Sequence, residues 1–140
     1  MAPVNADPEP LIRRRAFPSW SISIPASFEE AFDVEGGYWH AFGHDRSVSL
    51  TSMILTESDG SHPSAQAIAA QMSLIDGAPV TEIPGGVLGW AVKTDAVSPA
   101  RASRLLQGML ATDGHALIVT ITSDDGEWAR RTWLSIRRHG

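Results

Sequence analysis

Between residues 17 and 25 apolar and polar positions alternate: Trp20, Ile22 and Ile24 fall on one side, Ser19, Ser21 and Ser23 on the other. A period of two predicts a strand with one buried face, ended by Pro25. Residues 26–37 read as a connection, in which Phe28 and Phe32 at i and i+4 suit one helical turn and Gly36-Gly37 punctuates the end. Tyr38–Phe42 and residues 47–56 then read as a hairpin, joined by Gly43-His44-Asp45-Arg46. Val48, Leu50 and Ile54 carry the apolar face of its second strand, with a slip near Met53.

The period changes after the loop of residues 57–64. Ala65, Ile68, Ala69, Met72 and Ile75 follow i, i+3, i+4, i+7 spacing, which predicts an amphipathic helix of about a dozen residues. Pro63 suits its first turn, Ser61 or His62 its N-cap and Gly77 its C-cap. Val80–Ile83 is a short strand, Pro84-Gly85-Gly86 a turn, and residues 87–94 a strand with Leu88, Trp90 and Val92 on one face. Residues 95–99 make the next connection.

Asp113-Gly114 is the strongest hairpin signal, the dipeptide of two-residue type I′ turns. Counting outward pairs Thr112 with His115, Leu110 with Leu117, Gly108 with Val119 and Leu106 with Ile121. These residues share a core face. Leu105, Gln107, Met109, Ile118, Thr120 and Thr122 form a mixed, partly exposed face opposite. A final helix starts at Asp124, which has capping-box spacing to Glu127. Its buried stripe is Ala129, Thr132, Trp133 and Ile136. Arg130, Arg131, Arg137 and Arg138 lie on its polar face, the last pair at the end that favours cations.

The predicted order is β-β-β-α-β-β-β-β-α. This is an α+β domain with a mainly antiparallel sheet of six to seven strands flanked by two main helices. Residues 17–140 form this single domain. Residues 1–16, with three prolines and the Arg13-Arg14-Arg15 run, read as a flexible arm.

Composition narrows the function. A chain of 140 residues is one domain. The net charge of −5 argues against a basic nucleic-acid surface. The absence of cysteine excludes disulfides, thiolate zinc sites and a Cys nucleophile. No stretch reaches the roughly 20 apolar residues of a membrane span, and the N-terminus lacks the pattern of a signal peptide. The expectation is a cytoplasmic protein. Lys93 is the sole lysine among eleven basic residues, a skew typical of GC-rich bacterial coding sequence.

The element order resembles the PsbP-like superfamily. The resemblance rests on Trp20-Ser21-Ile22-Ser23-Ile24-Pro25-Ala26-Ser27-Phe28, similar to a strand ending in a Pro-x-x-aromatic turn. It rests also on the long hairpin from Arg101 to Ser123 and on the closing helix with Trp128 and Trp133. By topology it covers residues 17–140. The superfamily includes the photosystem II extrinsic protein, a Ran-binding nuclear import factor, bacterial lipoproteins of the LpqN type and chaperone-like domains for secreted effectors. This chain lacks the acylated cysteine of the lipoprotein members. The resemblance implies a binding or scaffolding protein and brings no catalytic residue with it.

Catalytic and metal patterns are weak. His40 and His44 would stand roughly 13 Å apart along a straight strand, too far for one ion. Glu57, Asp59 and His62 cluster in one loop but match no EF-hand spacing. No Gly-x-Ser-x-Gly elbow occurs, and Gly85-Gly86-Val87-Leu88-Gly89 lacks the Lys-Ser/Thr of a phosphate loop. Five tryptophans are many for this length. Trp20, Trp90 and Trp133 fall on core faces; Trp39 and Trp128 do not fall cleanly there. The expectation is a non-catalytic protein-binding module, an adaptor, chaperone or immunity-type partner. It has no cofactor and no metal, and is a monomer or homodimer. Its contact surface is expected at Tyr38, Trp39, His40, Phe42 and His44 together with Arg130, Arg131, Arg137 and Arg138. The alternative is a small-ligand or metal-binding module using the 57–62 loop.

Overall fold

Two long strands with one strongly apolar face meet at Asp113-Gly114 and set the centre of the molecule. The computed structural model describes residues 10–33, 35–72, 78–80, 84, 88–98 and 101–139. Among these the chain forms β1 (Leu11–Phe17), β2 (Trp20–Pro25), β3 (Glu29–Asp33), β4 (Tyr38–Phe42), β5 (Ser47–Ile54) and α1 (Ala65–Met72). There follow β6 (Ala78–Val80), β7 (Leu88–Ser98), β8 (Arg101–Thr112), β9 (His115–Ser123), α2 (Gly126–Leu134) and β10 (Arg137–Arg138). The class is α+β and every strand pairing is antiparallel. Seven strands form one sheet in the order β3-β4-β5-β9-β8-β7-β6, and three form a second in the order β1-β2-β10. The large sheet thus has the six to seven strands expected, and among the described residues a second, three-stranded sheet is added to it.

The β8–β9 register is the expected one: Thr112 faces His115, Gly108 faces Val119 and Leu106 faces Ile121. The turn differs from the expected type. Gly114 has φ +77° and Asp113 is not left-handed, so the pair fits a type II turn and not type I′. Asp113 Oδ1 accepts the Ala65 N–H and the Gly114 N–H donates to Pro63 O, which ties the turn to the start of α1. Ser64, not Ser61 or His62, caps α1, accepting from Ala67 N.

The core lies between the large sheet on one side and the small sheet with α2 on the other. Trp20, Ile22 and Ile24 of β2 meet Trp39, Ala41, Val48, Leu50, Val119 and Ile121, with Trp128 and Trp133 of α2 closing the layer. On the reverse face, α1 packs through Ile68 against Met109, Ala111 and Ala116. Gly108 is buried between Val119 and Ala91, both fully buried. Gly108→Val is expected to overpack this point and destabilise the fold by about 1–3 kcal/mol, read as a lower urea midpoint. An unchanged midpoint would contradict this register.

Several expectations are corrected. Residues 11–16 are not a free arm but part of β1, held by β2 from Leu11↔Pro25 to Arg15↔Ser21. The arginines concealed the strand because each has a partner. Arg13 donates to Ser21 Oγ and Ser135 O, Arg14 pairs with Glu30 at 3.3 Å, and Arg15 donates to Pro18 O. Ala16, on the alternate side from Arg13 and Arg15, is fully buried. Phe17 ends this strand and Pro18-Ser19 turns into β2. Residues 29–33 are a strand, so Phe28 and Phe32 share no helical turn. β7 runs on to Ser98 through the expected connection. Asp125, not Asp124, caps α2. Arg137 and Arg138 belong to β10 and not to the last helix. Residues 1–9, Ile75, Gly77, residues 81–83 and the Gly85-Gly86 turn lie outside the described residues, as do the side chains of Leu88, Trp90 and Val92.

Candidate functional site

Alternation along β4 sends successive side chains to opposite faces. Trp39 and Ala41 enter the core, while Tyr38, His40 and Phe42 stand on the reverse face of the sheet. Residues two apart on a strand lie within ring-stacking reach, and these three form a column. Tyr38 stacks on His40 at 6.1 Å between centroids and 10° between planes; His40 stacks on Phe42 at 5.1 Å and 25°. Ser49 of β5 anchors the column, with its Oγ hydrogen-bonded to His40 Nδ1 at 2.8 Å and to Tyr38 Oη at 3.2 Å. Register places Ser47, Ser49 and Thr51 beside the aromatics, and Thr122 and Thr120 beyond Ser47 and Ser49. On the other flank stand Glu29, Ala31 and Asp33 of β3, opposite Phe42, His40 and Tyr38 respectively. This face is half-exposed and mixed in polarity, with a row of hydroxyls on one side of the rings and carboxylates on the other.

Trp39 takes no part in that surface. It is fully buried, and its Nε1 donates to Glu30 Oε1 at 3.0 Å. The aromatic count had suggested a surface residue, but strand parity assigns Trp39 to the core side.

A second feature forms where the β4–β5 loop meets the start of α2. A cleft of about 510 Å³ is lined by Phe28, His44, Asp45, Arg46, Asp125, Trp128 and Arg131, among others. His44 and Arg131, named separately from the sequence, meet here. Asp125 caps the helix through Oδ1, accepting from Glu127 N and Trp128 N, and pairs with Arg46 through Oδ2 at 3.3 Å. Arg46 lies over the Trp128 ring at 5.0 Å. This stack and the Arg46–Asp125 pair were missed from the sequence because they join residues about 80 positions apart. Two guanidiniums face two carboxylates in this cleft, so it presents little net field to a charged ligand.

The four arginines do not make one patch. Arg130 pairs with Glu127 at 3.1 Å, and Arg131 lines the cleft. Arg137 Nη1 donates to Leu134 O and Ile136 O, serving the carbonyl end of α2 from just beyond it. Arg138 lies over the Trp20 ring at 5.1 Å.

The 57–62 loop is closed on itself. Asp59 Oδ1 accepts from Ser61 Oγ at 2.5 Å and from Ser61 N at 2.9 Å, and these bonds hold its carboxyl below the usual carboxylate range. His62 Nδ1 donates to Leu55 O. Its ring rests on Gly114, where an added Cβ would stand 2.9 Å away. Among the described residues no group of three or more His, Asp or Glu side chains could hold a metal ion. No helix of the described residues is long and apolar enough to cross a membrane.

No protein-family model matches the chain, and no curated protein does. Among solved structures, a crystal structure from Bacteroides thetaiotaomicron VPI-5482 is similar, with a TM-score of 0.61 and 11% sequence identity. The match covers 86% of this chain and 45% of that one. This chain therefore spans less than half the length of that protein, and the likeness shows a shared fold alone.

Proposed function

We propose that the protein is a non-catalytic protein-binding module, an adaptor, chaperone or immunity-type partner, that engages its partner through the reverse face of the seven-stranded sheet. The observation that carries this reading is the Tyr38-His40-Phe42 column. Three rings stacked in register remain half-exposed, although Trp39, Ala41, Val48 and Leu50 on the other face of the same strands are fully buried. Rigid aromatic area costs little side-chain entropy to bind and is enriched where proteins recognise one another.

The test is capture of a stoichiometric partner from native cells by the tagged protein, repeated with a His40→Ala/Phe42→Ser variant. Both positions are half-exposed, so the double change is expected to cost about 1 kcal/mol of stability or less. The expected result is a partner bound by the wild type and lost in the variant, with the melting curve nearly unchanged. A partner retained by the variant, or a wild type that captures nothing, would overturn the reading.

A further inference from the structure

The outer edge of the large sheet specifies what this face receives. β3 ends the strand order, and all five of its residues are exposed. Such an edge presents a row of unpaired N–H and C=O groups to any extended chain. Two large apolar side chains remain exposed at it, Phe32 of β3 at 53% and Tyr38 of β4 at 38%. Phe32 is anchored edge-to-face on Phe17 at 6.0 Å, so it is presented in a fixed orientation.

Charge selects the occupant. On the face that carries the aromatic column, Glu29 stands beside Phe42 and Asp33 beside Tyr38, with Ala31 and His40 between. Each outer row thus sets a carboxylate next to an aromatic ring. Asp33 Oδ1 accepts from Gly36 N. Glu30, on the other face, is already held by Arg14 and Trp39. A cationic side chain lying along such a row meets both the carboxylate and the ring face, and β4 is only about 5 Å further in than β3. The two rows are four residues apart along β3, so they match same-face positions i and i+4 of one added strand.

A second copy of the chain fits poorly. Antiparallel pairing of two β3 edges about Ala31 would set Glu29 of each copy against Asp33 of the other, and like charges directly opposite are destabilising. The acids that discourage self-pairing favour a basic partner.

We infer that β3 takes a basic, extended segment of a partner protein, which adds to the sheet as a further strand and directs Arg or Lys side chains four residues apart onto the Glu29/Phe42 and Asp33/Tyr38 rows. This rests on the reading of the aromatic face as the partner surface and names the chemistry of what binds there. Backbone pairing supplies affinity and the acid–aromatic rows supply selectivity.

The probe is a fluorescent peptide of about nine residues alternating Arg and Val, followed by anisotropy. One control peptide has Glu in place of Arg. Another has proline replacing its central residue, which removes a ladder donor. The Arg peptide is expected to bind, the Glu peptide not to bind, and the proline peptide to bind far more weakly. Glu29→Gln/Asp33→Asn is expected to weaken the Arg peptide about tenfold. Glu57→Gln/Asp124→Asn, the same charge change placed elsewhere, is expected to leave it nearly unchanged. Equal weakening by both charge variants, or a proline peptide as tight as the parent, would overturn the proposal. So would an Arg peptide that does not bind. If a captured cellular partner still depends on His40 and Phe42 in that event, the aromatic-face reading stands and only the edge-strand inference fails.

Discussion

Trp39→Ala is expected to be the most damaging change on β4, lowering stability by about 3–5 kcal/mol. The side chain is fully buried among Trp20, Leu50 and their neighbours, and its Nε1 is hydrogen-bonded to Glu30. Removing it leaves a cavity the size of an indole at the junction of the two sheets. It also releases one of the two bonds that hold Glu30, weakening the contact through which Arg14 ties the small sheet to the large one. Domains of this size have about 5–15 kcal/mol in total, so the variant should melt many degrees lower. Tyr38→Ala, one residue earlier and on the other face, is expected to cost about 1 kcal/mol or less. Chemical denaturation of the two variants side by side checks the strand parity. Equal losses would contradict it.

The second large effect is expected at Asp125. Asp125→Ala removes the cap of α2, worth about 1 kcal/mol, and also the carboxylate that pairs with Arg46. Both partners are partly exposed, so the pair adds at most about 1 kcal/mol. The combined loss should be about 1–2 kcal/mol. Asp125→Asn keeps an oxygen for the cap and removes only the charge, so it should lose clearly less. Asp124→Ala should lose almost nothing, because Asp124 is exposed and does not cap. Urea midpoints of the three variants separate these roles. An Asp124 variant weaker than the Asp125 variant would return the cap to the position that the capping-box spacing suggested.

These two residues mark what could and could not be read from the chain. The β8–β9 register was legible because a two-residue turn at Asp113-Gly114 fixes every pairing outward, and a slip by one would expose the whole core face. β2, β4 and β5 were legible from alternation of period two. β1 was not, because the hydrophobic pattern there is reduced to Ile12 and Ala16 among arginines that the fold satisfies from distant segments. β3 was hidden for a related reason. Glu29-Glu30-Ala31 has the composition of a helix, and only pairing with β4 holds it extended. β10 has two residues and no pattern of its own.

The candidate site was partly legible. Tyr38, His40 and Phe42 follow from parity once β4 is accepted, and the same parity removes Trp39. The dispersal of the four arginines could not be foreseen, because the helix ends at Leu134, before Arg137 and Arg138. Ser135 and Ile136 turn the chain back toward β2 instead of prolonging the polar face. The carboxylates beside the rings became visible only when residues 29–33 were seen to pair with 38–42.

The most direct measurement is site-specific photo-crosslinking in native cells, with a photoreactive amino acid placed at Phe42, at His44 or at Asp59. These positions sample the aromatic face, the cleft and the self-closed loop. The account predicts a discrete protein adduct from position 42, little from position 44 and none from position 59. An adduct confined to position 44, or equal labelling from all three, would contradict the claim that the sheet face is where this protein meets its partner.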